Sequence, residues 1–324
     1  VSYPTTHRAP LENGKPTRLT IAQALCRRLP PMFAQRLRSL IYPYNLAIRD
    51  NFTCVARALT GSMLEGTTAD FHFYPFSVQG YYEWRNVAIA AALVSEGDAI
   101  IEIGANVGTE TVCFANLAGP EGRVHAVEPL PSNVAALRRA NELSELKNIT
   151  VHTCALSNRS GHADFAVPPS HASGIGHIIG RGENSPSEII RVPCATLDSL
   201  TPEFGPARII FMDVEGEEVN ILRGGASYLR EFRPHLVLEA SPKLLRRSGY
   251  ELHDLRKTLE ELGYDVFEIT RFGLKPASPG AQRGTRNWLC LGKNQNALFN
   301  KARRSLVRAA WLPCLPGLNP LARV

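Results

Sequence analysis

No paired-cysteine motif occurs in the chain. Its seven cysteines (Cys26, Cys54, Cys113, Cys154, Cys194, Cys290 and Cys314) are scattered with no C-x-x-C spacing, which argues against a zinc site and a disulfide framework and leaves reduced, buried thiols as the expectation. No apolar run approaches the ~20 residues of a membrane-spanning helix, and Val1 to Arg18 lacks the apolar core of a secretory signal, so a cytoplasmic location is expected. Acidic residues are scarce at both ends. Residues 1–60 carry 9 basic and 2 acidic side chains and residues 269–324 carry 10 and none, which leaves the middle at −11 within a total of +6. Such ends suit an anionic partner, whether the inner face of a membrane or a charged lipid or glycan, or else are solvated tails. With no aromatic-interleaved basic patch, a nucleic-acid partner is not expected.

What is present is the composition of a globular protein, 324 residues with 44% apolar and 20% charged residues, enough for one large α/β domain with extensions. Proline breaks make the first eighteen residues read as disordered. From Leu19 two short amphipathic helices are expected, one with Ile21, Leu25 and Leu29 on its apolar face and one with Phe33, Leu37 and Ile41. The whole segment 1–78 reads as a helical extension that packs on the core or forms a membrane-facing or lid element. Residues 79–293 read as the main domain and 294–324 as a basic tail, in which Trp311 and Leu312 beside basic residues resemble a peripheral membrane contact.

Within the domain, short β-branched runs alternate with helical patterns, the rhythm of a doubly wound parallel sheet. Strands are expected at Ala99–Ile103, Arg123–Val127, Ile149–Thr153, Arg208–Met212, His235–Leu238, Asp265–Ile269 and Trp288–Leu291. The last two have no helix between them and so can pair antiparallel, since a parallel pair would need a long crossover. An antiparallel final strand separates the methyltransferase form of this sheet from the dinucleotide-binding form. Ser157 to Leu200 reads as an inserted hairpin and loop. Its stretch Ser170 to His177 is a candidate lid over the acceptor pocket.

The most informative segment is Glu102-Ile103-Gly104-Ala105-Asn106-Val107-Gly108, a strand entering a glycine turn that opens a helix. Gly104 and Gly108 let backbone approach a ligand closely. A dinucleotide would need G-x-G-x-x-G, whose middle glycine is here Asn106, and Glu102 would repel phosphate while accepting a hydrogen bond from a ligand amino group. The pattern favours a nucleoside bearing an amino acid. Glu128 ends the next strand 20 residues after Gly108, where a carboxylate binds ribose hydroxyls. Asp213 and Glu215 follow the fourth strand, where carboxylates can position the ligand, bind a cation or remove a proton. Glu217 and Glu218 read as first-turn residues favouring the next helix dipole.

Together Glu102 to Gly108, Val127-Glu128-Pro129, Ala155-Leu156-Ser157-Asn158, Thr196 to Leu200 and Asp213-Val214-Glu215-Gly216 resemble the FkbM family of methyltransferases over roughly Tyr81 to Glu239. The resemblance implies a Rossmann-like class I fold and S-adenosyl-L-methionine as donor. The implied reaction is O-methylation of a hydroxyl-bearing small molecule, glycan or glycolipid. It also implies cofactor contacts from Glu83, Glu102, Gly104, Asn106, Gly108, Glu128, Ala155 and Asp213. Asp213 is the expected base, with Glu215 and His177 as further catalytic candidates and His171 beside them. A divalent cation is possible through Asp213 and Glu215, though no ligand spacing demands one. Two departures stand out: Glu102 replaces the family's usual Asp, and Phe211 stands where a Lys is common. A catalytically silent cofactor-binding protein and an NAD-dependent oxidoreductase are the alternatives.

Overall fold

The structure is a computed structural model describing residues 14–169, 171–179, 188–278, 280 and 282–323. Most of the segment expected to be disordered, and Ser170 of the candidate lid, lie outside the described residues. Order begins before residue 18, since the first helix is Thr17–Cys26, followed by Pro31–Ile41 and Tyr44–Asp50. The strand pair β1 (Thr53–Arg57) and β2 (Met63–Thr67) is antiparallel and leads into the helices Phe73–Gln79 and Trp84–Leu93.

The domain then runs through β3 (Ala99–Ile103), β4 (Arg123–Val127) and β5 (Ile149–His152). The insert carries β6 (Ala155–Leu156), β7 (Gly161–Ala166), β8 (His177–Ile178) and β9 (Ile189–Ala195). The chain continues through β10 (Ile209–Met212), β11 (His235–Ala240), β12 (Tyr264–Thr270), β13 (Gly273–Pro276) and β14 (Arg286–Gly292). Eight strands form the main sheet in the order β13-β12-β14-β11-β10-β3-β4-β5, and the insert forms a four-stranded sheet ordered β6-β9-β7-β8. β11, β10, β3, β4 and β5 are parallel, while β14 runs antiparallel to both β11 and β12. This is the doubly wound class I methyltransferase sheet, with β13 as an added edge.

Its strands read as continuous β-branched runs because both faces are covered. Ile100, Phe211 and Leu289 join one apolar layer and Ile101, Ile210 and Trp288 the other. The helix Pro131–Leu143 buries Val134, Leu137 and Ala140, as its spacing requires, and Leu252–Glu261 buries Leu252, Leu255 and Leu259.

The structure refines the reading of both ends of the chain. The first helix buries Leu19, Ala22 and Cys26, whereas Ile21 and Leu25 are 45% and 48% exposed. The second buries Pro31 and Ala34 and packs Leu37 and Ile41 of its expected face against the same cluster, with Phe33 exposed. On the first helix the small side chains of Ala22 and Cys26 allow close docking, and that contact outweighs the outward Ile21 and Leu25. Asn296–Trp311 is a helix whose Ala302, Leu306, Ala309 and Ala310 enter the same core layer as the sheet. Phe211 lies stacked on Phe114 with ring centroids 4.2 Å apart, so its position serves packing. All seven cysteines are free, five of them buried.

Candidate active site

The parallel strands end together, and the turns that follow them build the site. At the end of β3, Gly104 has φ +85°, and a Cβ there would meet the Asp213 carbonyl oxygen at 1.9 Å. Only glycine allows that approach of the first turn to the turn after β10. Asn106 sits at φ +49°, its backbone N–H donating to Glu128 Oε2 at 2.9 Å while its side-chain oxygen accepts from Asn133 Nδ2 at 3.1 Å. Leu130 N–H donates to the other Glu128 oxygen at 2.8 Å. The Glu128 carboxylate is therefore fixed in orientation by two backbone donors, with acceptor capacity left over. At Gly108 (φ +93°) a Cβ would approach Leu137 Cδ2 at 2.9 Å, so this glycine serves helix packing more than ligand approach.

Three clefts meet at this edge. The first is lined by Gly104, Asn106, Glu128, Asn133, Ala155 and the loop residues Ser173 to Gly176, among others. The second is a small inner cavity bordered by Asn86, Glu102, Glu110, Phe211 and Glu239. The third is an open groove of about 570 Å³ lined by Tyr82, Glu83, Arg85, Glu239, Arg271 and Asn287, among others. Asp213 borders all three. The sequence-expected residues Glu83, Glu102, Gly104, Asn106, Glu128, Ala155 and Asp213 thus line adjoining clefts that share Asp213.

These clefts are crowded with carboxylates. Burial is the largest influence on each. It pushes Glu128 up to about 7 despite its backbone donors, and Glu102 up to about 8 with help from Glu128 and Asp213 and against the Thr111 hydroxyl that donates to it. Asp213 opens into the clefts, so water reaches it, yet it lies deep among protein atoms beside Glu215 and Glu83 and is raised to about 7. Glu239 rises to about 9, next to Asp213 and Glu218, while Glu83 and Glu110 are also raised. Buried oxygens of Glu110 and Glu239 have no hydrogen-bond partner among the described residues. So many unsatisfied carboxylates call for a cationic ligand. A donor carrying both an ammonium and a sulfonium fits them, and the pyrophosphate of a dinucleotide does not. Among the described residues no group of three or more His, Cys, Asp and Glu is placed to hold a metal ion.

Glu215, at φ +56°, faces Arg247 at 3.6 Å and lies near His177 and Lys243. His177 Nδ1 lies 3.1 Å from the Ile175 carbonyl oxygen. The structure thus groups Glu215 with His177, while Asp213 borders all three clefts. The candidate lid borders the first cleft through Ser173, Gly174 and Gly176. It is fastened there by Ser173 Oγ to Asp70 Oδ2 at 2.7 Å, by Phe71 N–H to the His171 carbonyl at 3.1 Å and by Tyr44 Oη to the same carbonyl at 3.3 Å. His171 contributes through its backbone. Glu217 and Glu218 are buried, unlike surface first-turn residues: Glu217 accepts from Ser157 Oγ, Asn220 Nδ2 and Ser248 Oγ, tying the insert to the turn.

Sequence reasoning passed over Glu110, Asn133, Glu239, Arg85 and Arg271. Glu239 could have been found by the same test that found Glu128, a carboxylate closing a parallel strand, had β11 been extended by two residues. Arg85 and Arg271 carried no such signal.

A model of the family described as Methyltransferase FkbM domain matches residues 102–266, just over half of the chain. No curated protein matches. Among solved structures the chain is similar to the methyltransferase FkbM from Methylobacillus flagellatus (16% identity, TM-score 0.40, covering 84% of this chain and 58% of that one). It is also similar to a SAM-dependent O-methyltransferase from Thermotoga maritima (14%, 0.38, 75% and 78%) and to precorrin-6y C5,15-methyltransferase from Geobacter metallireducens (15%, 0.38, 65% and 89%). The chain spans 58% of the length of the first of these. With the family model covering the turns after β3, β4 and β10 over more than half of the chain, this chain belongs to the FkbM family of methyltransferases.

Proposed function

We propose that the chain takes a methyl group from S-adenosyl-L-methionine and transfers it to a hydroxyl of a sugar, glycolipid or natural product held in the open groove. The observation that carries this reading is the position of Asp213, the carboxylate among the described residues that borders both cofactor-side clefts and the groove. Bound there, the cofactor would supply an electrophilic methyl on a positively charged sulfur. Glu128 would hold the ribose hydroxyls, and Glu102 and Glu110 would face the amino group. The chain's own task is then to orient an acceptor oxygen toward the clefts and remove its proton. An alcohol is barely ionised at neutral pH, so a base whose affinity for protons is matched to pH 7 is useful. Asp213 is raised into that range, and no hydrogen bond to its carboxylate forms among the described residues. Beside it in the groove stand the half-buried Tyr82 and Asn287, which can bond neighbouring hydroxyls.

The test uses labelled S-adenosyl-L-methionine and a panel of sugars, glycolipids and polyols. Wild-type protein is expected to label a hydroxyl acceptor. Asp213→Asn is expected to reduce transfer by about 10²–10⁴-fold while leaving S-adenosylhomocysteine affinity within about threefold. Full transfer by the variant would remove Asp213 from the role of base.

A further inference from the structure

From Asn13 to Arg49 the chain contains seven Lys or Arg residues and no Asp or Glu. After Glu268 it contains ten and none. The structure brings these two stretches together. The helices Thr17–Cys26 and Pro31–Ile41 pack on each other and both rest on Phe73–Gln79, so they form one layer. The C-terminal helix Asn296–Trp311 packs against Pro31–Ile41, and Cys314 N–H donates to the Arg28 carbonyl at 2.9 Å, joining its end to the turn between the first two helices.

The outer side of this layer is apolar and cationic at once. On the first helix Arg18, Ile21, Leu25 and the following Arg28 share the exposed face. On the second the exposed residues Phe33, Arg36 and Leu40 follow at helical spacing, with Phe33 48% and Leu40 78% exposed. On the C-terminal helix Lys301, Arg304, Arg308 and Trp311 line one exposed face, and Trp311, 49% exposed, stacks on the exposed Phe272 at 5.6 Å. Leucines, phenylalanine and tryptophan left in water on three adjoining helices carry a persistent cost that contact with an apolar phase removes. Arginine and lysine between them require that phase to be rimmed with negative charge.

We infer that this face seats the protein on an anionic lipid bilayer, with Ile21, Leu25, Phe33, Leu40 and Trp311 entering the headgroup boundary and the arginines meeting lipid phosphates. Charge complementarity selects this occupant. A second copy of the same face would bring cations against cations, and a nucleic acid would leave the apolar side chains without a partner. The contact is interfacial: no described helix is long and apolar enough to cross a membrane. The N-terminal layer also reaches the active site, because Tyr44 Oη, on the next helix, donates to the carbonyl of His171 beside the first cleft.

The test is sedimentation of the full chain with vesicles of phosphatidylcholine alone and of phosphatidylcholine with about 30% phosphatidylglycerol. The expected result is at least about tenfold stronger partitioning onto the anionic vesicles, weakening with added salt as screening requires. The variants Leu25→Ser/Phe33→Ser/Leu40→Ser and Arg18→Glu/Arg28→Glu/Arg36→Glu should each reduce it by about tenfold or more. All of these side chains are exposed, and unchanged S-adenosylhomocysteine binding would show that the variants fold. Absence of binding, equal binding to neutral vesicles or indifference to both triple variants would overturn the inference. So would dimerisation through this face in analytical ultracentrifugation, or a preference for a single-stranded RNA oligomer over the anionic vesicles.

Discussion

The cofactor-side clefts and the open groove meet at Asp213 but are made in different ways. The clefts are built from backbone: a glycine pressed against the Asp213 carbonyl, two N–H groups orienting Glu128, and turns that follow consecutive parallel strands. The groove is built from side chains of several separate segments: Tyr82, Glu83 and Arg85 before and on one helix, Glu239 on β11, Arg271 on the β12–β13 turn, and Asn287 on β14. A site made of backbone turns tolerates few sequences, so its residues recur in an ordered string. A site made of scattered side chains can be rebuilt for each acceptor without disturbing the fold.

That difference can be broken at its firmest point. Gly104→Ala places a methyl group into the Asp213 carbonyl and forces an L-residue to φ +85°. Cofactor binding should be lost, with a stability cost of about 2–4 kcal/mol read as a lowered denaturation midpoint. Retention of wild-type affinity would mean that the two turns are not coupled.

The carboxylate cluster sharpens the comparison through pH. Its members bind protons more tightly in the folded chain than in the unfolded one, so the folded state holds more protons and stability must fall as pH rises. The loss should begin near the ordinary carboxylate range and continue through the folded values of about 7 to 9 for Glu128, Asp213, Glu102, Glu218 and Glu239. Thermal melts of the cofactor-free protein should therefore show a falling Tm between pH 6 and 9. Glu239→Gln should lessen that fall by about 4 °C, what 1–2 kcal/mol amounts to in a domain of roughly this size. The cationic S-adenosyl-L-methionine should offset the loss more than the uncharged thioether of S-adenosylhomocysteine does. A Tm that rises across the same window would contradict the proton linkage.

The smallest expected effect concerns the loop over the first cleft. Asp70→Asn weakens the acceptor for Ser173 Oγ while Asp70 itself does not line that cleft. S-adenosylhomocysteine should then dissociate about three- to tenfold faster in stopped-flow measurements, the range expected when one charge-assisted hydrogen bond becomes a neutral one. An unchanged rate would show that the loop is held by its backbone contacts alone.

Much of this was legible in the sequence where a local rule coincides with the global one. Ala99–Ile103 and Arg123–Val127 are strands with the expected bounds, because buried parallel strands need continuous apolar runs and strand-end carboxylates stand out against them. The antiparallel β14 followed from the short connection after β12. The side of the first helix that docks is not legible from its apolar stripe: Ile21 and Leu25 face outward, while Leu19, Ala22 and Cys26 make the docking contact and Leu29 packs beside them. Periodicity reports that a helix has an apolar side and cannot say whether protein or lipid meets it. Lid placement was equally hidden, since Asp70 and Ser173 are 103 residues apart.

The central claim, that the turns after β3 and β4 form a site for an amino-acid-bearing nucleoside, is tested most directly by calorimetric titration of wild-type and Glu128→Ala protein with S-adenosylhomocysteine, with NAD as the control. The expected result is micromolar-range binding of S-adenosylhomocysteine by the wild type, lost in the variant, and no binding of NAD. Preference for NAD, or no binding of S-adenosylhomocysteine by the wild type, would contradict it.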